Sequence, residues 1–333
     1  MPWKGEKDPY RIWLSEIILQ QTRVEQGLGY YHRFITTFPT VKHLALAPEI
    51  KVFKLWEGLG YYTRCKNLLA TAKYINDELQ GKFPHKYEDI LALKGIGPYT
   101  AAAIGSFAFN LPHAVVDGNV FRVLSRYFGI STPTDSTDGK KIFSVLANDL
   151  LDGKNPGAYN QAIMDFGAVV CKPKLPLCKS CLLNRHCVAF LQGMVQQLPV
   201  KEKAITKRTR WFYYLVIEYN DEVYVRKRGA KDIWENLYEF VLLESREPLL
   251  LENFKPVKEM LGKNQFEVKH ISAFYKQLLT HQTIRGQFIR LTITQPVALE
   301  GYKRVGKRAL QKLPFPKFIS NYLKDKNVSL NLF

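Results

Sequence analysis

The chain has 333 residues and an ordinary hydrophobic content of 46%, which together predict a folded protein of two domains. Lysine and arginine outnumber aspartate and glutamate, so the formal net charge is +18. We therefore expect a polyanionic partner and favour nucleic acid over a membrane surface. The sequence contains no apolar run of about eighteen residues and no cleavable signal at its start, which predicts an intracellular protein.

A helix is predicted to begin after Asp8, which can cap it, with Pro9 in its first turn. Glu16 lies within this helix, and three of its neighbours one turn away are apolar: Ile12, Trp13 and Leu19. A carboxyl group in such surroundings is expected to have a raised pKa and to keep its proton near neutral pH. On the residues alone, a surface glutamate at the edge of the apolar stripe is the alternative.

A glycine-rich turn, Leu93–Ala101, leads into the small apolar stretch Ala101–Ala108, and Asp117 follows the apolar pair Val115-Val116. The two glycines and the proline of the turn suit a tight hairpin between two helices, and the amides at the start of the second helix suit a phosphate. Asp117 is placed to cap the helix that follows it. An ordinary helix–turn–helix connection is the alternative for the turn by itself.

Further helices are predicted up to about residue 190. Leu55–Tyr62 interrupts one of them with two glycines before a pair of tyrosines, Asp135–Pro156 contains another, and Asn155–Gln161 opens the next. Taken alone, these features indicate helix packing rather than chemistry.

Four of the five cysteines fall in one short run, with the spacing C-x6-C-x2-C-x5-C from Cys171 through Cys178 and Cys181 to Cys187. Thiolates clustered in this way predict a metal site rather than a disulfide framework. Zinc sites usually have two short C-x-x-C pairs, whereas this run has one. The fifth cysteine, Cys65, is expected to be a buried or neutral thiol.

The composition changes after the cysteines. Val195–Arg210 is polar and lysine-rich, which predicts a linker. Alternating apolar residues then predict strands at Trp211–Tyr219, Val223–Arg228, Phe266–Tyr275 and Gln287–Thr294, with a hairpin-like turn at Asn220–Glu222.

The segment Ile12–Thr22, the glycine-rich turn with Asp117, and the cysteine run together resemble the helix-hairpin-helix DNA glycosylases. From Trp3 to about Leu323 the chain is similar to the adenine DNA glycosylase (MutY) family. The resemblance implies a mainly α N-terminal helix-hairpin-helix glycosylase domain with a 4Fe–4S cluster loop, joined to an α+β Nudix-like domain. The implied boundaries are 1–194 for the first domain, with the cluster loop at 171–187, then a linker at 195–210 and the second domain at 211–333.

The resemblance also implies catalytic roles. Glu16, neutral, would protonate N7 of the adenine, and Asp117, ionised, would stabilise the oxocarbenium ion that forms at C1′. Tyr99 and Asn119 would position Asp117 and the attacking water. The amides of Gly95, Gly97 and Tyr99 would hold a phosphate beside the lesion.

The implied DNA contacts lie in both domains. Gln21 and Tyr61 would enter the duplex at the lesion pair, and Gln161 would bind the edge of the adenine. Thr280, next to His281, would recognise 8-oxoguanine, because this base has a hydrogen at N7 where guanine has an acceptor. Many relatives have Phe-Ser-His where this chain has Leu279-Thr280-His281, and a solvated loop residue is the alternative for Thr280.

The implied cofactor is a 4Fe–4S cluster on Cys171, Cys178, Cys181 and Cys187, in a basic loop that shapes a DNA-binding surface. The implied partner is double-stranded DNA containing adenine opposite 8-oxoguanine or guanine, bound by a monomer at the nucleoid of a bacterial cytoplasm, with no membrane partner. In two respects the chain departs from the family. It begins at Met1-Pro2-Trp3 without the usual preceding helix, and Lys4 replaces the usual arginine.

Three other functions remain to be separated from this one. An endonuclease III-like glycosylase with lyase activity needs an amine nucleophile, and that family has lysine where this chain has Tyr99. A Nudix nucleotide hydrolase needs a string of metal-binding glutamates, which is missing after Phe240, so we expect a recognition domain without pyrophosphatase activity. A metal-dependent DNA-binding protein that is not an enzyme would bind the lesion without releasing a base.

Overall fold

The computed structural model describes residues 4–202, 207–230, 232–249 and 255–325. The chain forms two compact units, one of Met1–Leu46 with Lys66–Ala204 and the other of Ala47–Cys65 with Ile205–Phe333. The first unit is helical and the second contains a mixed sheet, which confirms the predicted fold class. Residues 203–206 of the predicted linker lie outside the described residues, as do residues 1–3, where the resemblance begins. In the part that is described, no helix has both the length and the hydropathy needed to cross a bilayer.

Helices follow one another up to residue 191, as predicted, and the longest connection, residues 170–187, contains the four clustered cysteines. The helices are α1 Pro9–Leu19, α2 Val24–Thr37, α3 Val41–Ala45, α4 Glu49–Trp56, α5 Tyr62–Asp77, α6 Tyr87–Leu91, α7 Pro98–Phe109, α8 Gly118–Phe128, α9 Thr137–Asp149, α10 Pro156–Val169 and α11 Val188–Leu191.

Side-chain caps start two of these helices where the sequence predicts. The Asp8 carboxylate accepts from the amide of Tyr10 at 2.9 Å before α1, and Asp117 caps α8. Helix α1 packs against α7, and both α7 and α8 pack against α10. This packing brings the ends of four separate helices to one place in the first unit.

The sheet of the second unit is built on two long parallel strands. Its strands are β1 Arg208–Tyr219, β2 Glu222–Lys227, β3 Tyr238–Glu239, β4 Val241–Ser245, β5 Phe266–Ile271, β6 Tyr275–Leu278, β7 Gln282–Ile293 and β8 Lys303–Gly306. The order is β3-β2-β1-β7-β5, with β4 beside β1, β6 beside β7 and β8 beside β2. Strands β1 and β7 are parallel, and every other described pairing is antiparallel.

Helices cover both faces of this sheet, which is why the centre of β1 is buried on each side. The remaining helices are α12 Lys255–Leu261, α13 Lys307–Leu310 and α14 Lys317–Leu323. Tyr213 and Leu215 share a core with Val257 of α12. On the opposite face, the ring of Tyr214 stacks on Phe288 with centroids 5.4 Å apart, and Phe288 stacks on Tyr322 of α14 at 4.0 Å.

The predicted turn at Asn220–Glu222 is confirmed, because Tyr219 pairs with Glu222 and both residues between them have positive φ. The single strand predicted at Phe266–Tyr275 is wrong. The chain forms β5 and β6 instead, separated at Ser272, whose amide and hydroxyl both hydrogen-bond to the backbone of Phe288 at 2.9 Å. Ile271 pairs with Ile289 and Tyr275 with Gly286, so four steps along this segment face three along β7, which makes a bulge.

Candidate active site and cysteine loop

A cavity of about 580 Å³ in the first unit is lined by residues from α1, α7, α8 and α10. Five of the residues predicted from the sequence contribute to its wall: Glu16, Gln21, Tyr99, Asp117 and Gln161. The packing of the helices therefore brings together side chains that are far apart in the sequence.

Glu16 is buried in this wall, with 7% of its surface exposed. The Tyr99 hydroxyl donates a hydrogen bond to Glu16 Oε2 at 2.7 Å. Burial raises the pKa of Glu16 to about 7, and the nearby charge of Asp117 adds to this effect while the Tyr99 hydrogen bond opposes it. Burial and Glu16 also raise the pKa of Tyr99 well above its usual value, so this hydroxyl remains a donor.

Asp117 is held by three donors at the start of α8. Its Oδ1 accepts from the amides of Asn119 and Val120, each at 2.8 Å, and its Oδ2 accepts from Asn119 Nδ2 at 2.7 Å. The carboxylate is therefore fixed in direction by the cap and by one neighbouring amide.

Arg122, which no sequence motif marks, holds the side chain of Asn119 in place. The buried guanidinium donates to Asn119 Oδ1 at 2.8 Å and to the carbonyls of Cys171 and Gly167 at 2.7 and 2.6 Å. A Cβ on Gly167 would lie 2.7 Å from the Asn119 Cβ, so this close approach requires glycine. The only sequence signal is the position of Arg122 one turn after Asn119 on α8.

The glycine-rich turn connects α6 to α7. Gly95 has a φ of +79°, and a Cβ there would lie 2.6 Å from the Asn67 Cβ, whereas Gly97 caps α7 at a φ of −100° with open space around it. The Thr71 hydroxyl holds the turn by donating to the Lys94 carbonyl at 2.8 Å. The first turn of α7 leaves N–H groups without acceptors inside the helix, as the predicted phosphate site requires.

The four clustered cysteines line one cavity in the first unit, beside Arg126. The Arg126 guanidinium donates to Cys171 Sγ at 3.5 Å and to the Lys172 carbonyl at 2.8 Å, and the Cys187 thiol donates to the Arg126 carbonyl at 3.4 Å. Cys65 is separate and fully buried, and burial raises the pKa of its thiol.

Four thiols around one cavity form a donor set that suits a metal centre. Within the described ranges, no three His, Cys, Asp or Glu side chains converge as ligands of one metal ion. Four thiolates can serve as ligands of a zinc ion or of an iron–sulfur cluster.

In the second unit, Thr280 and His281 form the turn between β6 and β7. The Leu279 amide closes this turn by donating to the Gln282 carbonyl at 2.8 Å. Tyr61 has a φ of +49° and is 45% exposed, and its hydroxyl lies 2.8 Å from the Thr280 hydroxyl. Two of the predicted lesion-contacting residues are thus in direct contact. Gln21, in the first unit, is exposed with a φ of +55° just after α1.

The segment after Phe240 shows no string of glutamates among its described residues. Helix α12 carries one acidic residue, Glu259, which lies 4.0 Å from Lys255, and residues 250–254 lie outside the described part.

The sequence matches two family models, described as an HhH-GPD superfamily base excision DNA repair protein over residues 14–146 and a NUDIX domain over residues 212–325. The adenine DNA glycosylase of Buchnera aphidicola subsp. Baizongia pistaciae is 34% identical over 85% of this chain and 79% of that protein. Its counterpart from B. aphidicola subsp. Schizaphis graminum is 36% identical over 85% and 80%.

Two solved structures resemble the helical part. A thermostable thymine-DNA glycosylase is 30% identical with a TM-score of 0.54, covering 58% of this chain and 88% of that one. Endonuclease III in a non-covalent DNA complex shares the fold at 20% identity, with a TM-score of 0.50 over 57% and 87% of the two chains. The chain belongs to the adenine DNA glycosylases and combines an HhH-GPD base excision repair domain with a NUDIX domain.

Proposed function

We propose that the protein hydrolyses the N-glycosidic bond of adenine paired with 8-oxoguanine or guanine in duplex DNA, acting as a monomer. The observation that carries this proposal is the pair of carboxyl groups at one cavity, in which Glu16 is buried with a pKa of about 7 and Asp117 is held by three donors. The adenosine must leave the duplex to reach these groups, because its glycosidic bond is inaccessible inside the stack.

Glu16 acts as the general acid that protonates N7 of the adenine and makes the base a better leaving group. Tyr99 donates to Oε2 of Glu16, so the acidic proton is carried by Oε1. Apolar burial keeps Glu16 protonated near neutral pH, and the hydrogen bond from Tyr99 fixes the direction in which its carboxyl group points.

Asp117 stabilises the oxocarbenium ion that remains after the base departs, and water then attacks C1′. Asn119 and the first amides of α8 hold the carboxylate in place during this step. Charge stabilisation of this kind is effective because the donors are already oriented before the reaction begins.

We infer that the enzyme has no lyase step. Tyr99 stands where a lyase would need an amine, and two lysines in the cavity wall are engaged elsewhere. The ammonium group of Lys4 pairs with Asp165, and that of Lys7 donates to the Phe107 carbonyl at 3.0 Å.

The cluster loop and the β6–β7 turn have supporting roles. Cys171, Cys178, Cys181 and Cys187 would hold a 4Fe–4S cluster, which when bound supplies a rigid centre for a basic loop rather than a chemical step. Thr280 accepts a hydrogen bond from N7–H of 8-oxoguanine, while Tyr61 and Gln21 enter the stack and His281 contacts the same strand.

Duplexes with adenine opposite 8-oxoguanine, guanine, cytosine or thymine test this proposal. We expect release of adenine from the first two, with strand breaks only after alkali. Binding without base release would instead identify a non-enzymatic DNA-binding protein, and strand breaks without alkali, with trapping by borohydride, would identify a lyase. Release of pyrophosphate from a damaged nucleotide would contradict the role given to the NUDIX domain.

A further inference from the structure

Asp165 lies on α10, one turn after Gln161, and uses its two oxygens separately. Its Oδ1 accepts from Gln161 Nε2 at 3.0 Å, and its Oδ2 accepts from the ammonium group of Lys4. Lys4 and Gln161 both line the cavity that contains Glu16. Asp165 therefore contacts two side chains of the cavity wall.

This contact fixes which end of the Gln161 amide faces the cavity. An amide has a donor end and an acceptor end that sequence and shape alone do not distinguish. A carboxylate paired with an ammonium group can only accept, so the Gln161 NH2 group must face Asp165. The Gln161 Oε1 atom is then the end left for the cavity.

Such an acceptor distinguishes purines by the substituent at their 6-position. N7 and the 6-substituent lie on the same edge of the base, and adenine presents an amine donor there where guanine and hypoxanthine present an oxygen. With Glu16 at N7, an acceptor fixed in the same cavity favours a 6-amino group and repels a 6-oxo group.

We propose that Asp165 is a positioning residue that fixes Gln161 as a hydrogen-bond acceptor and so makes the cavity select 6-aminopurines over 6-oxopurines. This inference rests on the proposed adenine excision and names the residue that sets its base specificity.

The test compares single-turnover release of adenine and of hypoxanthine, each placed opposite 8-oxoguanine. Asp165→Asn keeps the shape but offers both a donor and an acceptor, so Gln161 can turn its amide around. We expect the adenine-to-hypoxanthine rate ratio to fall at least about tenfold relative to the wild type, the effect of one mismatched hydrogen bond. The intrinsic lability of the two bases cancels in this comparison between variants.

Lys4→Met is the matched control. It removes the same ion pair but leaves Asp165 able only to accept, so we expect its ratio to stay within about twofold of the wild type. The double variant Asp165→Asn with Gln161→Glu provides rescue, because the carboxylate of residue 161 has only acceptor atoms. We expect it to restore the preference for adenine, which a loss of packing would not do, and thermal unfolding of each variant is recorded alongside.

An unchanged ratio in Asp165→Asn overturns the inference, and so does an equal fall in Lys4→Met, since the ion pair rather than the amide orientation would then set the specificity. Failure of the double variant to recover the ratio overturns it as well. These results differ from failure of the proposed function, in which the wild-type protein releases no adenine.

Discussion

The burial of Glu16 makes the rate of base release depend on pH. Because its pKa is raised to about 7, the acid form dominates below that pH and is lost above it. We expect single-turnover release from an adenine·8-oxoguanine duplex to be level at acidic pH and to fall about tenfold per pH unit above neutrality. Glu16→Gln keeps the shape without the proton, so its rate should be at least about 10²–10⁴-fold lower and lose this pH profile.

The same pKa shift predicts how the free energy of unfolding depends on pH, and this dependence serves as a control for folding. A carboxyl whose pKa is higher in the folded than in the unfolded protein stabilises the fold at pH values below the unfolded pKa. This stabilisation, at most about 3 kcal/mol, is lost as the pH rises to about 7. Glu16→Gln should therefore gain stability relative to the wild type between pH 5 and pH 8 in denaturant titrations. If Glu16→Gln excised adenine at nearly the wild-type rate, Glu16 would not be the general acid.

Asp117 combines a structural and a chemical role that substitutions can separate. Asparagine is as good a helix cap as aspartate, but its NH2 group would face that of Asn119, so Asp117→Asn should lower the free energy of unfolding by about 1–2 kcal/mol. Loss of the charge facing the oxocarbenium ion should lower single-turnover excision at least about 10²-fold. Asp117→Ala, which removes the cap as well, should lose about 1 kcal/mol of stability in addition. An asparagine variant with nearly full activity would show that the charge is dispensable.

Residues whose chemistry depends on local neighbours can be predicted from the sequence, whereas residues whose partners are distant cannot. The raised pKa of Glu16 follows from apolar residues one turn away, and the cap at Asp117 follows from its place before a helix. Arg122 and Asp165 each have one partner a helical turn away, but their other partners, Cys171, Gly167 and Lys4, come close only through the packing around α10.

The hairpin between α6 and α7 provides a matched pair of glycines. Gly95→Ala should lower the free energy of unfolding by about 1–3 kcal/mol, because the backbone is left-handed there and the new Cβ would clash with Asn67. Gly97→Ala meets open space, so its stability should change by less than about 1 kcal/mol. If a phosphate lies against these amides, Gly97→Ala should still weaken duplex binding at least about threefold. Full affinity in a stable Gly97→Ala protein would place the phosphate elsewhere.

The cysteine loop allows a similar comparison between two thiols. Purified protein should be brown, with about four irons per chain and visible iron–sulfur absorbance. Cys178→Ser should lose most of that iron, because a hydroxyl is a poor replacement for a thiolate ligand. Cys65→Ser, outside the loop, should keep it. Stoichiometric zinc in anaerobically prepared protein, or equal iron loss in both variants, would contradict the cluster assignment.

The bounds and bulges of the strands are only partly predicted by the alternation of apolar residues. The apolar residues of Phe266–Tyr275 change phase between Val268 and Ile271, where the register of β5 against β7 shifts, whereas nothing in the pattern marks the bulge at Ser272. Strand β1 begins at Arg208, inside a segment that its polar composition predicts to be linker, because parallel pairing with β7 extends the ladder beyond the apolar core.

At the scale of the whole chain, the second unit joins segments that are distant in sequence. The Glu57 carboxylate accepts from the Ser320 hydroxyl, and Lys54 donates to the Leu313 carbonyl at 2.9 Å. Tyr61 follows on the same segment and meets the β6–β7 turn. No periodic pattern in the sequence marks contacts between residues so far apart. The predicted boundaries therefore include Ala47–Cys65 in the helical domain.

This arrangement predicts that base removal and recognition of the opposite base can be altered separately. Thr280→Val keeps the size of the side chain but removes the acceptor for N7–H of 8-oxoguanine. Its preference for adenine·8-oxoguanine over adenine·guanine should fall about tenfold, the cost of one unmade hydrogen bond to a buried donor. Thr280→Ser keeps the hydroxyl and should keep the preference within about twofold.

The measurement is single-turnover excision and duplex affinity on the two substrates, with Tyr61→Phe as a third variant. If Tyr61 acts partly by orienting the Thr280 hydroxyl, removing only its own hydroxyl should lower the preference in the same direction by a smaller factor, while the ring continues to stack. The rate on adenine·guanine should change little in all three proteins, because Glu16 and Asp117 are untouched. Equal losses on both duplexes would mean that Thr280 supports the fold of its turn, and an unchanged preference in Thr280→Val would remove it from recognition of the lesion.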